Sequence, residues 1–523
     1  MKKQHFDLTF VGAGLSCCCT IIYYINLANE LGKKNKVKLL IIEKTKEFWT
    51  GIPYGIRSGY NSLIITSLKE FLPENELKLF VNWLKDNFYK VVNDNMAQNG
   101  NKTINEWLLN NQKQIRENLW ENLFIPRYLF GIYLKDRVIN LLEMAEKDGI
   151  VDYQLLTAEV SDIERIDSSY NITAKTDFEK KILFSSTKVI LSIGTPPKAR
   201  LNINFNNKTN ESICVIEDIY EPDISTNISQ IRKVLKNSNK SHQNNILILG
   251  SNASALEILY NLKDVTTSEN LINQIYILSP DGTFPNKIKE TCDVTNYIPV
   301  NLMYLKNAAS YTSGQILEAV RKDTEDAHKE KIDISDIYHS MANLVIELLN
   351  KLDLNEQKKF VFRDGVEIGK FQRRAGAEYL ELVNPLITQD KITFIKGRFL
   401  RQVSAEPESF YFEYIDKLTE EIRTFPQPIK IVINCIGFQN LSNSSSYLIK
   451  RLSEQNICLP NGSERGFVVN ENFEANDNFY IMGPLLAGNI NQRLRVWHAE
   501  SCPRIFHLSR QLAEVLICND SNN

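Results

Sequence analysis

The chain has 523 residues, 43% hydrophobic and 24% charged, with a formal net charge of −2 at pH 7. That length argues for more than one domain. The near-neutral balance without a basic stripe argues against a nucleic-acid partner, and no apolar run reaches the roughly 18–20 residues of a membrane span.

The first element raises a choice. "TFVGAGLSCCCTIIYYINLANE", Thr9 to Glu30, follows a start carrying Lys2 and Lys3 and can be read as an export signal or as the first turn of a nucleotide pocket. An export signal needs an unbroken apolar core and a small-residue cleavage site. Here Asp7 interrupts the approach, Gly12 and Gly14 break the core, and Cys17-Cys18-Cys19 run straight into Ile21, Ile22 and Tyr23. The pocket reading accounts for more residues. Phe6 to Val11 reads as a strand, Gly12-Ala13-Gly14 as a tight turn, and Leu15, Cys18, Ile22 and Ile25 recur at helical spacing. Val37 to Ile42 is a second buried strand closed by Glu43. Such a unit brings backbone N–H groups and a helix N-terminus against a pyrophosphate, and its terminal acid accepts bonds from a ribose. Cys17 stands where the third glycine of the fingerprint would be, a position that serves close packing. This reading places the protein in the cytoplasm.

Further along, "LLTAEVSDIERI", which contains Val160, and "KKILFSSTKVILSIGTPP" read as hairpins of a small sheet, the latter ending in a buried strand and Gly194. A second strand–turn–helix unit is "ILILGSNASALEILYNL", with its turn at Gly250, Ser251, Asn252, Ala253 and Ser254, followed by the strand "QIYILSPDG". "KIVINCIGFQN" repeats the strand-then-glycine pattern at Gly437. Asn- and Ser-rich stretches at 202–210, 236–245 and 440–446 read as loops or boundaries. Residues 308–354 are strongly helical by pattern and interrupt the second unit as an insert. The expected architecture is α/β: two Rossmann-like dinucleotide-binding domains with a helical insert. Residues 1–200 and 431–523 are assigned to the first and residues 201–430 to the second. The nine cysteines show no C-x-x-C spacing and the six histidines no metal-ligand spacing, so most cysteines, Cys292 among them, read as apolar fillers and no metal site is expected.

Taken together these motifs resemble the two-dinucleotide flavoproteins, and within them the flavin-dependent N-hydroxylating monooxygenases of the lysine and ornithine type, as well as a broader set of bacterial FAD/NAD(P)-binding proteins. "GAGLSC" is similar to the FAD pyrophosphate turn. "EKTKEFWTGIPYG" resembles the ribose acid and the loop under the flavin, with Trp49 and Tyr54. "SLIITSLKEF" resembles a substrate-gripping stretch, here with Lys69-Glu70, and "FIPRYLFGIYLKDRV" an arginine-bearing helix start with Arg127. "GSNASALE" resembles the NADPH turn, "NCIGF" a later glycine segment, and "FYIMGPLLAGN" with "VWHAESCPRI" the closing flavin strand and helix, with Gly483 and His498.

The resemblance implies FAD on the first unit and NADH or NADPH on the second, with a small-molecule substrate. Gly12, Ala13, Gly14, Glu43, Trp49, Tyr54, Val160, Gly194, Gly250, Ser251, Asn252, Ala253, Ser254, Gly437, Gly483 and His498 are then cofactor-contacting positions, and Lys69 and Arg127 substrate-contacting ones. Four of these positions have a plainer reading. Lys69 can be a solvated lysine beside Glu70, Arg127 a structural ion pair, Trp49 core filling, and His498 a satisfied core histidine. In the second unit Asn252 replaces a glycine, and Pro280-Asp281 stand where the broader group has an arginine, which disfavours a 2′-phosphate unless another cation such as Lys287 or Lys289 substitutes. No Ser/His/Asp or Cys/His constellation emerges, so no catalytic residue is assigned. Three functions follow: a monooxygenase that hydroxylates the amine of a small amino acid or related metabolite through a flavin hydroperoxide, a flavin oxidoreductase acting directly on its substrate beside a degenerate nicotinamide site, and a non-catalytic flavin-binding protein.

Overall fold

The computed structural model describes residues 3–33, 36–96, 102–176, 180–201, 203, 213–238, 243–263, 265–266, 270–287, 297–371, 373–406, 409–497 and 501–519. His498, Lys289, Cys292 and almost all of the expected loop at 202–210 lie outside them.

Two sheets organise the chain. The first contains β1 (Gln4–Val11), β2 (Val37–Glu43), β3 (Val151–Thr157), β4 (Glu159–Ile166), β5 (Ser169–Lys175) and β6 (Lys181–Leu191). β1 lies between β2 and β6, and β3 extends the parallel sheet beyond β2. The central strands are buried on both faces, which is why Leu39 to Ile42 form an unbroken apolar run. The first helix, Leu15–Glu30, is buried over most of its circumference, including Cys17, Cys18 and Cys19. It packs between helices Arg127–Lys147 and Cys502–Asn519. The strand–turn–helix reading of Thr9 to Glu30 is therefore the observed one. The expected hairpins do not form a separate small sheet: β4, β5 and β6 make an antiparallel meander, and β6 joins it directly to β1.

The second sheet repeats the plan. It contains β7 (Cys214–Ile216), β8 (Asn245–Leu249) and β9 (Gln274–Ser279). A short pair, β10 (Asn286–Lys287) and β11 (Arg374–Ala375), forms a separate parallel sheet of two strands. Then follow β12 (Ile392–Glu406), β13 (Ser409–Asp416), β14 (Ile422–Thr424) and β15 (Ile431–Asn434), giving the order β14-β13-β12-β9-β8-β15-β7. Strands β12 to β14 are a second meander that the sequence reading did not anticipate. β15 pairs in parallel with both β8 and β7, so residues 431–434 belong to the second unit, and the boundary assigned at residue 431 moves beyond them. β16 (Glu474–Asn476) and β17 (Phe479–Ile481) return to the first sheet beside β6.

The helical insert runs from helix Val300–Lys306 to helix Gly365–Phe371, longer than the expected 308–354. It has its own core around Leu302, Ile316, Val320, Ile337 and Leu348, separate from that of the sheets. Its buried Asp323 accepts the Leu302 N–H at 2.9 Å, tying its first two helices together.

Candidate functional site

Both units build the same turn. In the first, Gly12 follows β1 with φ +94°, and its N–H donates to Ile42 O at 2.8 Å. A Cβ there would stand 2.6 Å from Ser192 O, at the end of β6. In the second, Gly250 follows β8 with φ +103°, and a Cβ would stand 2.5 Å from Cys435 O, at the end of β15. In each case the chain must turn while in contact with the neighbouring strand, and only glycine satisfies both demands. Each turn leads into a helix whose N-terminus has no side-chain cap: Leu15–Glu30 after Gly14, and Ala253–Asn261 after Asn252. Backbone donors left uncapped at a glycine turn suit a phosphate group.

Glu43 ends β2 beside the first turn. One carboxylate oxygen accepts the Ala13 N–H at 2.9 Å and the other the Thr45 N–H at 3.2 Å, which fixes the acid where a ribose would lie. The following loop clamps the turn: the Trp49 N–H donates to Ala13 O at 2.6 Å, and Gly51 backs onto Gly14. Trp49 has φ +81° and is buried, its ring 6.0 Å from that of Phe48. Tyr54 is also buried, edge-on to Phe71 and Phe130. Val160 is buried in β4. Gly483 sits against the start of the first helix, where a Cβ would lie 2.5 Å from Ser16 Oγ. Gly194 and Gly437, which follow β6 and β15, face open space. These features are a cradle that fits the pyrophosphate and ribose of FAD.

At the second turn, Ser251 and Asn252 line a cavity of about 290 Å³ with Asp281, Phe284, Lys370 and Arg373. Asn252 has φ −82°, so it does not use the left-handed conformation its residue type would tolerate. Its side-chain oxygen accepts a bond from the Arg373 guanidinium. Lys370, paired with Glu367 at 2.6 Å, lines the same cavity. Burial lowers the pKa of Arg373, while Asp281 and Glu367 act in the opposite direction. Two cations thus stand where the local sequence showed only Pro280 and Asp281. Lys287 instead pairs with Glu381 at 2.8 Å. The positive charge comes from the far end of the insert, 121 positions from Asn252, brought in where β10 pairs with β11. No local motif announces it.

The substrate-contacting candidates separate. Lys69 is exposed and donates to Asn122 Oδ1 at 2.9 Å. Arg127 is buried in an ion pair with Glu257, the structural reading, at 12% and 6% side-chain exposure. Glu257 lies on the helix that starts at the second turn and also accepts from Ser62 Oγ at 2.7 Å, so the pair bolts the two units together. Burial works against the Arg127 charge, but the Glu257 carboxylate outweighs it and the guanidinium is held fully protonated. The Tyr220 ring lies 5.9 Å from Arg127, and Arg57 binds Tyr220 O at 2.8 Å and pairs with Glu221. Among the described residues no cluster of His, Cys, Asp and Glu could hold a metal ion, and no helix is long and apolar enough to cross a membrane.

Comparison with known proteins agrees with this geometry. Residues 9–196 match the family model described as FAD-NAD(P)-binding, the stretch from β1 through the residues after β6. An uncharacterised protein of Mycobacterium tuberculosis is 27% identical over 515 residues, covering 98% of this chain and 96% of the relative. The reduced form of the ornithine hydroxylase from Pseudomonas aeruginosa superposes with a TM-score of 0.56 at 13% identity, over 98% of this chain and 100% of that one. The ornithine N-hydroxylase of Kutzneria gives 0.55 at 11% identity over 99% and 100%. Residues 9–196 are an FAD/NAD(P)-binding domain by this match, and the fold of these hydroxylases extends over 98–99% of the chain.

Proposed function

We propose that the protein is an FAD-dependent oxidoreductase, reduced by a nicotinamide nucleotide held in the second unit, that hydroxylates the amine of a small metabolite. The observation that carries the reading is the pair of matching turns. Gly12 and Gly250 lie at the carboxyl ends of two parallel sheets, where ligands of open α/β sheets bind. The Arg127–Glu257 pair fixes one sheet against the other. The choice of amine hydroxylation among flavin reactions is supported by the full-length fold likeness to the two ornithine hydroxylases, an analogy of fold.

Bound FAD supplies a two-electron acceptor for the nicotinamide hydride and, once reduced, a partner for molecular oxygen. The chain supplies position. Glu43, its two oxygens already oriented by Ala13 and Thr45, takes the ribose, and the uncapped start of helix Leu15–Glu30 takes the pyrophosphate. Arg373 and Lys370 offer their donors to the adenosine side of the second nucleotide, and the Asn252 side chain is held by Arg373 at the edge of the same cavity. A substrate amine must be neutral to act as a nucleophile, so the site that holds it has to disfavour the ammonium form.

The test is anaerobic mixing of FAD-loaded protein with NADH and NADPH separately, then admission of oxygen with a panel of primary amines. Bleaching of the flavin followed by hydroxylamine formation is expected. No bleaching by either nucleotide overturns the nicotinamide-driven reading. Bleaching by an organic substrate alone establishes direct oxidation instead.

A further inference from the structure

We propose that Lys198 is a positioning residue for the nicotinamide nucleotide, its ammonium group holding a phosphate of that nucleotide where it passes from the second turn toward the first unit. The inference rests on the reading of the second unit as the nicotinamide site. Lys198 lies on the segment that crosses between the units after β6. That segment runs alongside the end of β15: the Ala199 N–H donates to Gly437 O at 3.1 Å and the Gln439 N–H to Pro197 O at 2.9 Å. The lysine therefore stands between the carboxyl edges of both parallel sheets, on the route any dinucleotide must take to bring its far end to a flavin.

Its environment is that of a cation awaiting an anion. Half-buried, the ammonium nitrogen is 4.5 Å from the Phe438 ring centre and 6.0 Å from that of Tyr220. Among the described residues it has ring contacts but neither an ion pair nor a side-chain hydrogen bond. The other cations around Tyr220 differ: Arg127 has Glu257 and Arg57 has Glu221. The Lys198 charge reaches Cys435, where it opposes the upward push that burial gives the thiol. Cys435 is the residue whose carbonyl closes against Gly250, and at its thiol Glu257 and Asp218 act in the opposite sense to Lys198. On either side of Gly437, Ile436 and Phe438 are 47% and 43% exposed, an apolar flank for the ring that follows the phosphates. A ring face is a weaker partner for an ammonium than an anionic oxygen, so the lysine can exchange one for the other when the nucleotide binds.

Two phosphates could be held: the pyrophosphate common to NADH and NADPH, or the 2′-phosphate of NADPH alone. Calorimetric titration of the FAD-loaded protein with NAD⁺ and NADP⁺ separates them, since neither reduces the flavin. Lys198→Met is expected to weaken binding by about 10- to 150-fold, the loss of one charge-assisted bond. Equal weakening for both nucleotides identifies the pyrophosphate, and weakening for NADP⁺ alone identifies the 2′-phosphate. Lys198→Arg should recover most of the affinity, which a purely structural lysine would not predict, and FAD content should be unchanged in both variants. Wild-type affinity in Lys198→Met, or an Arg variant as weak as the Met variant, overturns the assignment while leaving the nicotinamide site intact. If the wild-type protein binds neither nucleotide, the second-site reading itself fails and the inference falls with it.

Discussion

The ion pair between Arg127 and Glu257 gives the sharpest stability test. Arg127→Met leaves the Glu257 carboxylate buried, with Ser62 Oγ at 2.7 Å as a remaining partner. Glu257→Leu leaves a guanidinium whose Nε already lacks a hydrogen-bond partner. Breaking a buried pair from one side costs about 3–5 kcal/mol, because the survivor keeps its desolvation penalty and loses its compensation. The residual Ser62 bond puts Arg127→Met near the low end, about 3 kcal/mol, and Glu257→Leu near 5 kcal/mol. Removing both charges relieves the penalty, so the double variant should cost less than Glu257→Leu alone. The assay is urea unfolding followed by tryptophan fluorescence and by flavin release, each transition fitted separately because the chain has two units. The effect should persist at high salt, since a buried pair is poorly screened. A loss below about 1 kcal/mol for Arg127→Met, or strict additivity in the double variant, would refute the buried-charge reasoning.

Gly12→Ala and Gly250→Ala should separate the two sites: the added methyl meets Ser192 O at 2.6 Å in the first and Cys435 O at 2.5 Å in the second. The first should purify without FAD, and the second should keep FAD and lose nicotinamide-nucleotide binding, as read from flavin absorbance and titration. Arg373→Met should weaken NADP⁺ by about 10- to 150-fold and leave NAD⁺ little changed, because the lost charge-assisted bond serves the 2′-phosphate on the adenosine ribose; equal weakening of both would move Arg373 to another role. Glu47 supplies a pH signature. Burial raises its pKa, against the Ile56 N–H bond and the Arg57 charge, so the fold favours the protonated acid and loses stability as pH rises through the carboxylate range. Glu47→Gln should therefore match wild type at pH 3–4 and gain on it at neutral pH, and a variant that is less stable at neutral pH would contradict this.

The sequence alone determined the two strand–turn–helix units. Their cues are contiguous: Gly12 to Glu43 carries a strand, a turn, a helix and an acid within one stretch, and Gly250 to Ser279 repeats all but the acid. Alternation and helical spacing report local geometry, and a glycine forced to turn against a neighbouring strand leaves its mark wherever that turn occurs. The helical insert was legible for the same reason, though its end was not, since the last helices carry little periodic signal of their own. The lack of C-x-x-C spacing marks most cysteines as apolar fillers, and seven of the eight described ones are buried. What only the tertiary structure decided is which distant residues meet. β15 reads as a strand in either unit until its pairing with β8 assigns it to the second. Arg127 and Glu257 stand 130 positions apart and become partners only when the two sheets close on each other. Arg373 reaches the second turn because the chain returns from the insert beside β10, supplying a cation where the local sequence carries only Pro280 and Asp281. Lys198 is an ordinary lysine after two prolines until the crossover lays it between two aromatic rings, with no ion pair among the described residues. Turn chemistry is a property of neighbouring residues along the chain, whereas charge compensation is a property of neighbours in space, and only folding decides those.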